Sequence, residues 1–137
     1  MEELGTLESR AFWREVRDAV PLDAANDWIV WRISCPPSEG PAIVSRIRTH
    51  QPALKVLYDW SGGLIWLALP PSPDADHLMV RSAIGATGGH ATLIRASEAV
   101  RAAVPVFQPQ PPALAALSRR VKESFDPKGL FNPGRMG

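Results

Sequence analysis

The chain has 137 residues, 45% of them hydrophobic and 21% charged, with a formal net charge of +1. That length suits one domain with a sizeable core, and the near-neutral balance excludes a basic field for nucleic acid or an anionic membrane. A single cysteine, Cys35, excludes an internal disulfide and suits a reducing cytoplasm. No apolar run is long enough to cross a bilayer, and the acidic start Met1-Glu2-Glu3 lacks the order of a signal peptide. The prolines gather at Pro36-Pro37, Pro70-Pro71-Ser72-Pro73 and between Pro105 and Pro112, where they punctuate elements.

Residues Leu4 to Val20 carry apolar side chains at Leu7, Ala11, Phe12, Val16 and Ala19, the spacing of one helical face. Thr6 and Ser9 are candidate caps, and Pro21 closes the segment. Asp27 to Cys35 predicts the first strand, aromatic and β-branched and stopped by Pro36-Pro37. Alternation places Ile29, Trp31 and Ile33 on one face, and Trp28, Val30, Arg32 and Ser34 on the other. Gly40 to His50 predicts a helix with Pro41 in its first turn and Ile43, Val44 and Ile47 buried. Leu54 to Trp60 and Leu64 to Leu69 predict strands joined by Ser61-Gly62-Gly63. Asp74 to Thr87 predicts a helix capped by Asp74, with Leu78, Met79, Ala83 and Ile84 inward. Gly88-Gly89 ends it, and His90 to Arg95 is the last strand. Pro105 to Pro112 is a stiff extended connection, and Pro112 to Phe125 a final helix with Leu114, Leu117, Val121 and Phe125 as its stripe.

The order strand, helix, strand, strand, helix, strand is the split βαβ pattern, so the expected class is α+β: a ferredoxin-like antiparallel sheet. An N-terminal helix, a C-terminal helix and an ordered tail are additions to it. One sheet face packs the two helices; the first and last helices are candidates to cover part of the other.

Three stretches hold residues able to do more than pack. Arg32, inside an aromatic strand, must end at water, an acid or a bound anion; on an open face it is a fork for a small carboxylate. Gly88-Gly89-His90 makes a turn into a strand, and its histidine is either structural or placed for proton transfer. Asp59-Trp60-Ser61-Gly62-Gly63 reads as a hairpin loop, since no helix follows to make a phosphate cradle. His50 and His77 sit on predicted helices without convergent ligands, no metal motif occurs, and no serine has a nucleophile-elbow context.

The chain ends in Phe125-Asp126-Pro127-Lys128-Gly129-Leu130-Phe131-Asn132-Pro133-Gly134-Arg135-Met136. Two turn-forming clusters hold an apolar pair between them, which reads either as a helix stop with a docked tail or as a recognition signature. This ending resembles the C-terminal signature of FAD-linked oxidases of the vanillyl-alcohol oxidase type. With Trp31-Arg32-Ile33-Ser34, Asp59-Trp60-Ser61-Gly62-Gly63, Trp66 and Gly88-Gly89-His90-Ala91-Thr92-Leu93 in that order, the chain resembles the FAD-binding subunit of bacterial glycolate oxidases from Ala11 onward.

The resemblance implies a single cap, or substrate, domain over residues 1–137, with the connection, last helix and tail over 105–137. The flavin-binding domain would lie N-terminal to it and outside this chain. It implies an oxidoreductase that turns glycolate into glyoxylate in the full complex, with FAD as cofactor and this chain alone inactive and colourless. Arg32 and His90 are the implied substrate-binding residues, with His90 catalytic, and Asn132 and Arg135 the implied contacts near the flavin. The implied partners are the flavin-binding domain, an iron–sulfur subunit and a small 2-hydroxy acid. The implied location is cytoplasmic, with membrane association through the complex. The rival reading is a stand-alone ferredoxin-like module that binds a small ligand or a protein without catalysis.

Overall fold

The structure, a computed structural model, describes residues 5–18, 20–22 and 27–131. Nine elements follow in order: α1 (Thr6–Arg17), β1 (Ile29–Ser34), α2 (Gly40–His50), β2 (Lys55–Asp59), β3 (Leu64–Leu69), α3 (His77–Ile84), β4 (His90–Arg95), α4 (Glu98–Ala103) and α5 (Pro112–Phe125). The four strands form one antiparallel sheet in the order β2-β3-β1-β4, the ferredoxin-like arrangement.

Period-two alternation sorts the sheet into two faces. Ile29, Trp31 and Ile33 of β1, Ile65, Leu67 and Leu69 of β3, and Ala91 and Leu93 of β4 point at α2 and α3. They meet Ile43, Val44 and Ile47 of α2 and Val80, Ala83 and Ile84 of α3. Trp31 is fully buried there, and its indole Nε1–H donates to the Ala75 carbonyl at 3.0 Å, so its one polar group is satisfied. The α3 expectation needs one correction. Leu78 is 67% exposed, and Val80 takes the core position, because at 3.6 residues per turn Val80 shares a side with Ala83 and Ile84 while Leu78 falls on the opposite one. The Asp74 carboxylate instead accepts from the Asp76 N–H at 3.1 Å, closing the turn ahead of the helix.

Among the described residues the other face is only partly covered: Val30, Ala68 and Thr92 are buried there, while Arg32 and His90 are exposed. Neither α1 nor α5 buries a residue, which corrects the expectation that these helices would cover the sheet. The cover comes from the short 3-10 turn Val20–Leu22, whose Leu22 packs on Val30, Ala68, Trp28, Leu57 and Trp66. The start of α1 also differs: Gly5 precedes it, and its N–H donates to the Glu8 carboxylate at 2.9 Å, a bond that neither Thr6 nor Ser9 makes. Leu4 and Ala19 lie outside the described residues.

Helix α4 lies between the last predicted strand and the proline-rich connection, where the sequence predicts no element. Ser97 caps it by accepting from the Val100 N–H at 3.3 Å, and Val100 joins the core. The extended segment that follows runs along the outer edge of β4. Its Val106 carbonyl accepts from the Leu93 N–H at 2.9 Å, and the Gln108 side chain accepts from the Ala91 N–H at 3.3 Å. Thus the proline-rich connection protects a sheet edge that would otherwise be free to pair. Arg81 fixes it from α3 by donating to the Pro105 carbonyl and, at 3.0 Å, to the Phe107 carbonyl.

Candidate functional site

The open face brings together side chains that the sequence keeps far apart. Arg32 of β1 lies directly opposite Trp66 of β3 on one side and Thr92 of β4 on the other. Two residues on, Ser34 lies opposite Leu64 and His90. Arg32 and His90 are therefore diagonal neighbours on one face, with side-chain roots about 7 Å apart. Both are exposed.

Among the described residues, the Arg32 guanidinium has no hydrogen-bond or ion-pair partner, and the same holds for the His90 imidazole and the Thr92 hydroxyl. An exposed cation and an exposed imidazole thus share one sheet face with the buried Thr92 between them, and none of the three has a partner among the described residues. Such a set suits a small anion whose carboxylate takes the guanidinium fork while a neighbouring hydroxyl reaches the imidazole.

Local backbone geometry holds this set in place. Gly89 has φ of +139°, and a Cβ there would come within 2.6 Å of the Ser34 carbonyl oxygen, so the β4 start can approach β1 only with glycine. On the far side, the β2–β3 hairpin passes through three successive positive φ values, at Trp60, Ser61 and Gly62. Asp59 supports it by accepting from the Trp60 N–H at 2.7 Å, and the Cys35 N–H donates to the Gly63 carbonyl at 3.0 Å. The Trp60 indole stands 72% exposed at this end of the sheet. Cys35 is held here by packing: burial first, then the nearby Glu39 charge, pushes its thiol pKa up, away from a reactive thiolate.

Beside Arg32 the face sinks into a cleft of about 450 Å³ walled by Val20, Leu22, Val30, Trp66 and Ile94, with Asp18 and Arg95 as its polar members. The sequence gives little sign of this cleft, because it depends on a register shift. Val30 pairs with Arg95 while Trp31 pairs with Leu93, and the extra β4 residue turns both Ile94 and Arg95 towards the cleft.

The described residues do not supply a dinucleotide cradle. Gly62-Gly63 and Gly88-Gly89 each lead into a strand rather than a helix N-terminus, so no row of free amides awaits a pyrophosphate. No group of metal-ligating side chains occurs among the described residues, and none of their helices is long and apolar enough to cross a membrane. Asn132 and Arg135 lie outside the described residues.

The C-terminal region presents a second surface. On α5, Leu114, Leu117, Val121 and Phe125 form the expected stripe, and all four are exposed. Beyond it, the Asp126 carboxylate accepts from the Leu130 and Phe131 N–H groups at 2.9 and 2.8 Å, so the first of the two tail turns is built. Leu130 and Phe131 nevertheless remain 70% and 71% exposed.

Residues 108–136, which span this helix and tail, match the family described as FAD linked oxidases, C-terminal domain. That likeness is to the family's C-terminal domain and covers the helix and tail rather than the sheet. It is also 32% identical over 125 residues to the glycolate oxidase subunit GlcE of Escherichia coli (strain K12), covering 91% of this chain and 31% of that protein. The chain therefore spans about a third of the length of the curated relative it matches. No solved structure matches it. In this chain the ferredoxin-like sheet is the scaffold that carries Arg32 and His90.

Proposed function

We propose that the chain forms the substrate side of an FAD-dependent 2-hydroxy-acid oxidase, and that glycolate, named for its relative, is one acid it takes. The observation that carries this reading is the exposed guanidinium of Arg32, without a partner among the described residues, on the same sheet face as the exposed His90. Arg32 binds the substrate carboxylate in its planar fork, which fixes the position of the adjacent carbon. His90 holds the hydroxyl on that carbon and accepts its proton through a ring nitrogen. FAD, held by a separate flavin-binding unit, supplies the redox chemistry when bound.

The same reading gives the exposed stripe of α5 and the Leu130-Phe131 pair a partner in that flavin-binding unit. Asn132 and Arg135 then belong to contacts near the flavin, and electrons leave through partner subunits that include an iron–sulfur protein. A stand-alone module is less consistent with so much unpartnered apolar surface along one helix and tail.

The test is kinetic, in the protein assembled with its flavin. Arg32→Ala should lower kcat/KM for glycolate about a hundredfold, mainly through KM. His90→Gln should act chiefly on kcat, by about a hundredfold. Unchanged kinetics in Arg32→Ala would remove the open face from the site.

A further inference from the structure

We propose that the outer edge of β2 pairs with β2 of a second copy of this chain, antiparallel and centred on Leu57, so that two sheets join into one. The sheet has two outer strands, β2 and β4. The β4 edge is already taken, by the Val106 carbonyl and the Gln108 side chain. Among the described residues no segment pairs with the outward side of β2 from Val56 to Asp59, where the ladder bonds run to β3 alone. The strand also lacks two usual guards of an edge. It carries no proline, and it pairs with β3 in unbroken register, without a bulge.

An uncovered strand can take many partners, and the charge pattern of this one selects its own copy. In Lys55-Val56-Leu57-Tyr58-Asp59, opposite charges stand at the two ends of an apolar centre. A two-fold axis through Leu57 reverses the strand and lays Lys55 opposite Asp59 of the second copy, twice over. Parallel pairing in register would set like charges side by side instead. The faces agree as well. Leu57 lies opposite Trp66, on the side of Arg32, while Val56 and Tyr58 lie opposite Leu67 and Ile65, on the side of the helices. Each residue therefore meets one from its own face, with Val56 against the half-exposed Tyr58. Asp59 uses Oδ1 for the Trp60 N–H, and its second oxygen can take the Lys55 ammonium, which stands 5.6 Å from the centre of the Trp28 ring. Beyond the strand ends, the exposed Trp60 comes level with the exposed Pro52-Ala53 turn of the second copy. The axis is perpendicular to the sheet, so both copies show the Arg32 face to the same side. Two strands of five residues make a small interface, so the dimer is weak, in the micromolar range.

Sedimentation of the intact protein over a concentration series reads the association. The parent should pass from monomer to dimer. Lys55→Glu places two carboxylates together at each end of the pairing and should weaken the dimer about tenfold or more. Asp59→Lys places two ammonium groups there and should do the same. An equimolar mixture of the two variants should dimerise again, because each end of the mixed pair opposes unlike charges. Leu57→Cys, on the axis, should cross-link into a covalent dimer under a mild oxidant, whereas Lys55→Cys, whose counterpart is Asp59, should not. A protein that stays monomeric up to about a millimolar overturns the pairing, as does a dimer that neither charge variant weakens. A mixture of folded variants that fails to dimerise overturns it too. Should Asp59→Lys lose the fold along with its hairpin bond, the Leu57→Cys cross-link decides, and its absence sinks the proposal.

Discussion

Gly89 lies against the main chain of Ser34, so closely that a Cβ on Gly89 would stand 2.6 Å from the Ser34 carbonyl oxygen. Its φ of +139° is also one that residues with side chains rarely adopt. The two constraints coincide one residue before His90, so they set where the imidazole starts. Gly89→Ala should destabilise the fold by about 2 kcal/mol or more, from strain and from the forced separation of β1 and β4. Chemical denaturation measures the loss. A stability within about 0.5 kcal/mol of the parent would show that the junction relaxes freely.

Much of the fold is legible in the sequence because the sheet obeys simple alternation. The faces assigned to Ile29, Trp31 and Ile33 and to Val30, Arg32 and Ser34 are those observed, and β3, β4, α2 and α5 run over the expected residues. What the sequence hides depends on contacts between distant segments. Leu78 is expected in the core with Met79, Ala83 and Ile84, yet the side that α3 buries is centred on Val80, Ala83 and Ile84, and Leu78 stands opposite it. The periodicity of α5 identifies an apolar stripe correctly but cannot say whether the partner lies in the same sheet, and here the stripe stays exposed. Arg32 and His90 are visible as unusual residues. Their convergence follows only once β1 and β4 are known to be neighbours.

The hairpin loop stores strain that a single substitution should release. Ser61 has φ of 54° within the run of positive values from Trp60 to Gly62. Ser61→Gly removes the left-handed penalty of a residue with a Cβ, offset in part by the extra freedom glycine brings to the unfolded chain. A net gain of about 0.5 kcal/mol is expected, seen as a rise in Tm of roughly 2 °C. A fall in Tm would mean that the serine side chain contributes more to the loop than its backbone costs.

Arg81 joins three layers of the molecule through one side chain. Its guanidinium stacks 5.4 Å from the centre of the Trp31 ring, donates to the Phe107 and Pro105 carbonyls, and so holds the connection against β4. Burial lowers its pKa, although the group stays charged at any ordinary pH. Its Nε is buried without a partner, so part of what the fork gains is lost to desolvation. Arg81→Met keeps most of the packing and removes the fork. It should cost about 2 kcal/mol and speed amide exchange at Leu93, whose N–H depends on the Val106 carbonyl. Protection at Leu93 unchanged from the parent would show that the segment holds the edge without Arg81.

The tail turn should respond to acid in a predictable direction. Hydrogen bonds from the Phe131 N–H first, and then from the Leu130 N–H, lower the Asp126 pKa below the ordinary carboxylate value. A lowered folded-state pKa means the contribution is fully present above the unfolded value of about 3.9 and is lost as pH falls through the folded one. The turn should therefore hold at neutral pH and open only on the acid side of about pH 4. Amide resonances of Leu130 and Phe131 report it directly: their shifts should move together towards random-coil values in that window. Asp126→Ala should give those open-turn shifts already at pH 7, with α5 itself intact. Since Leu130 and Phe131 are the apolar pair that this carboxylate presents, the same variant should weaken any partner that docks on them. Native-like Leu130 and Phe131 shifts in Asp126→Ala at pH 7 would show that Pro127 and Gly129 suffice to build the turn.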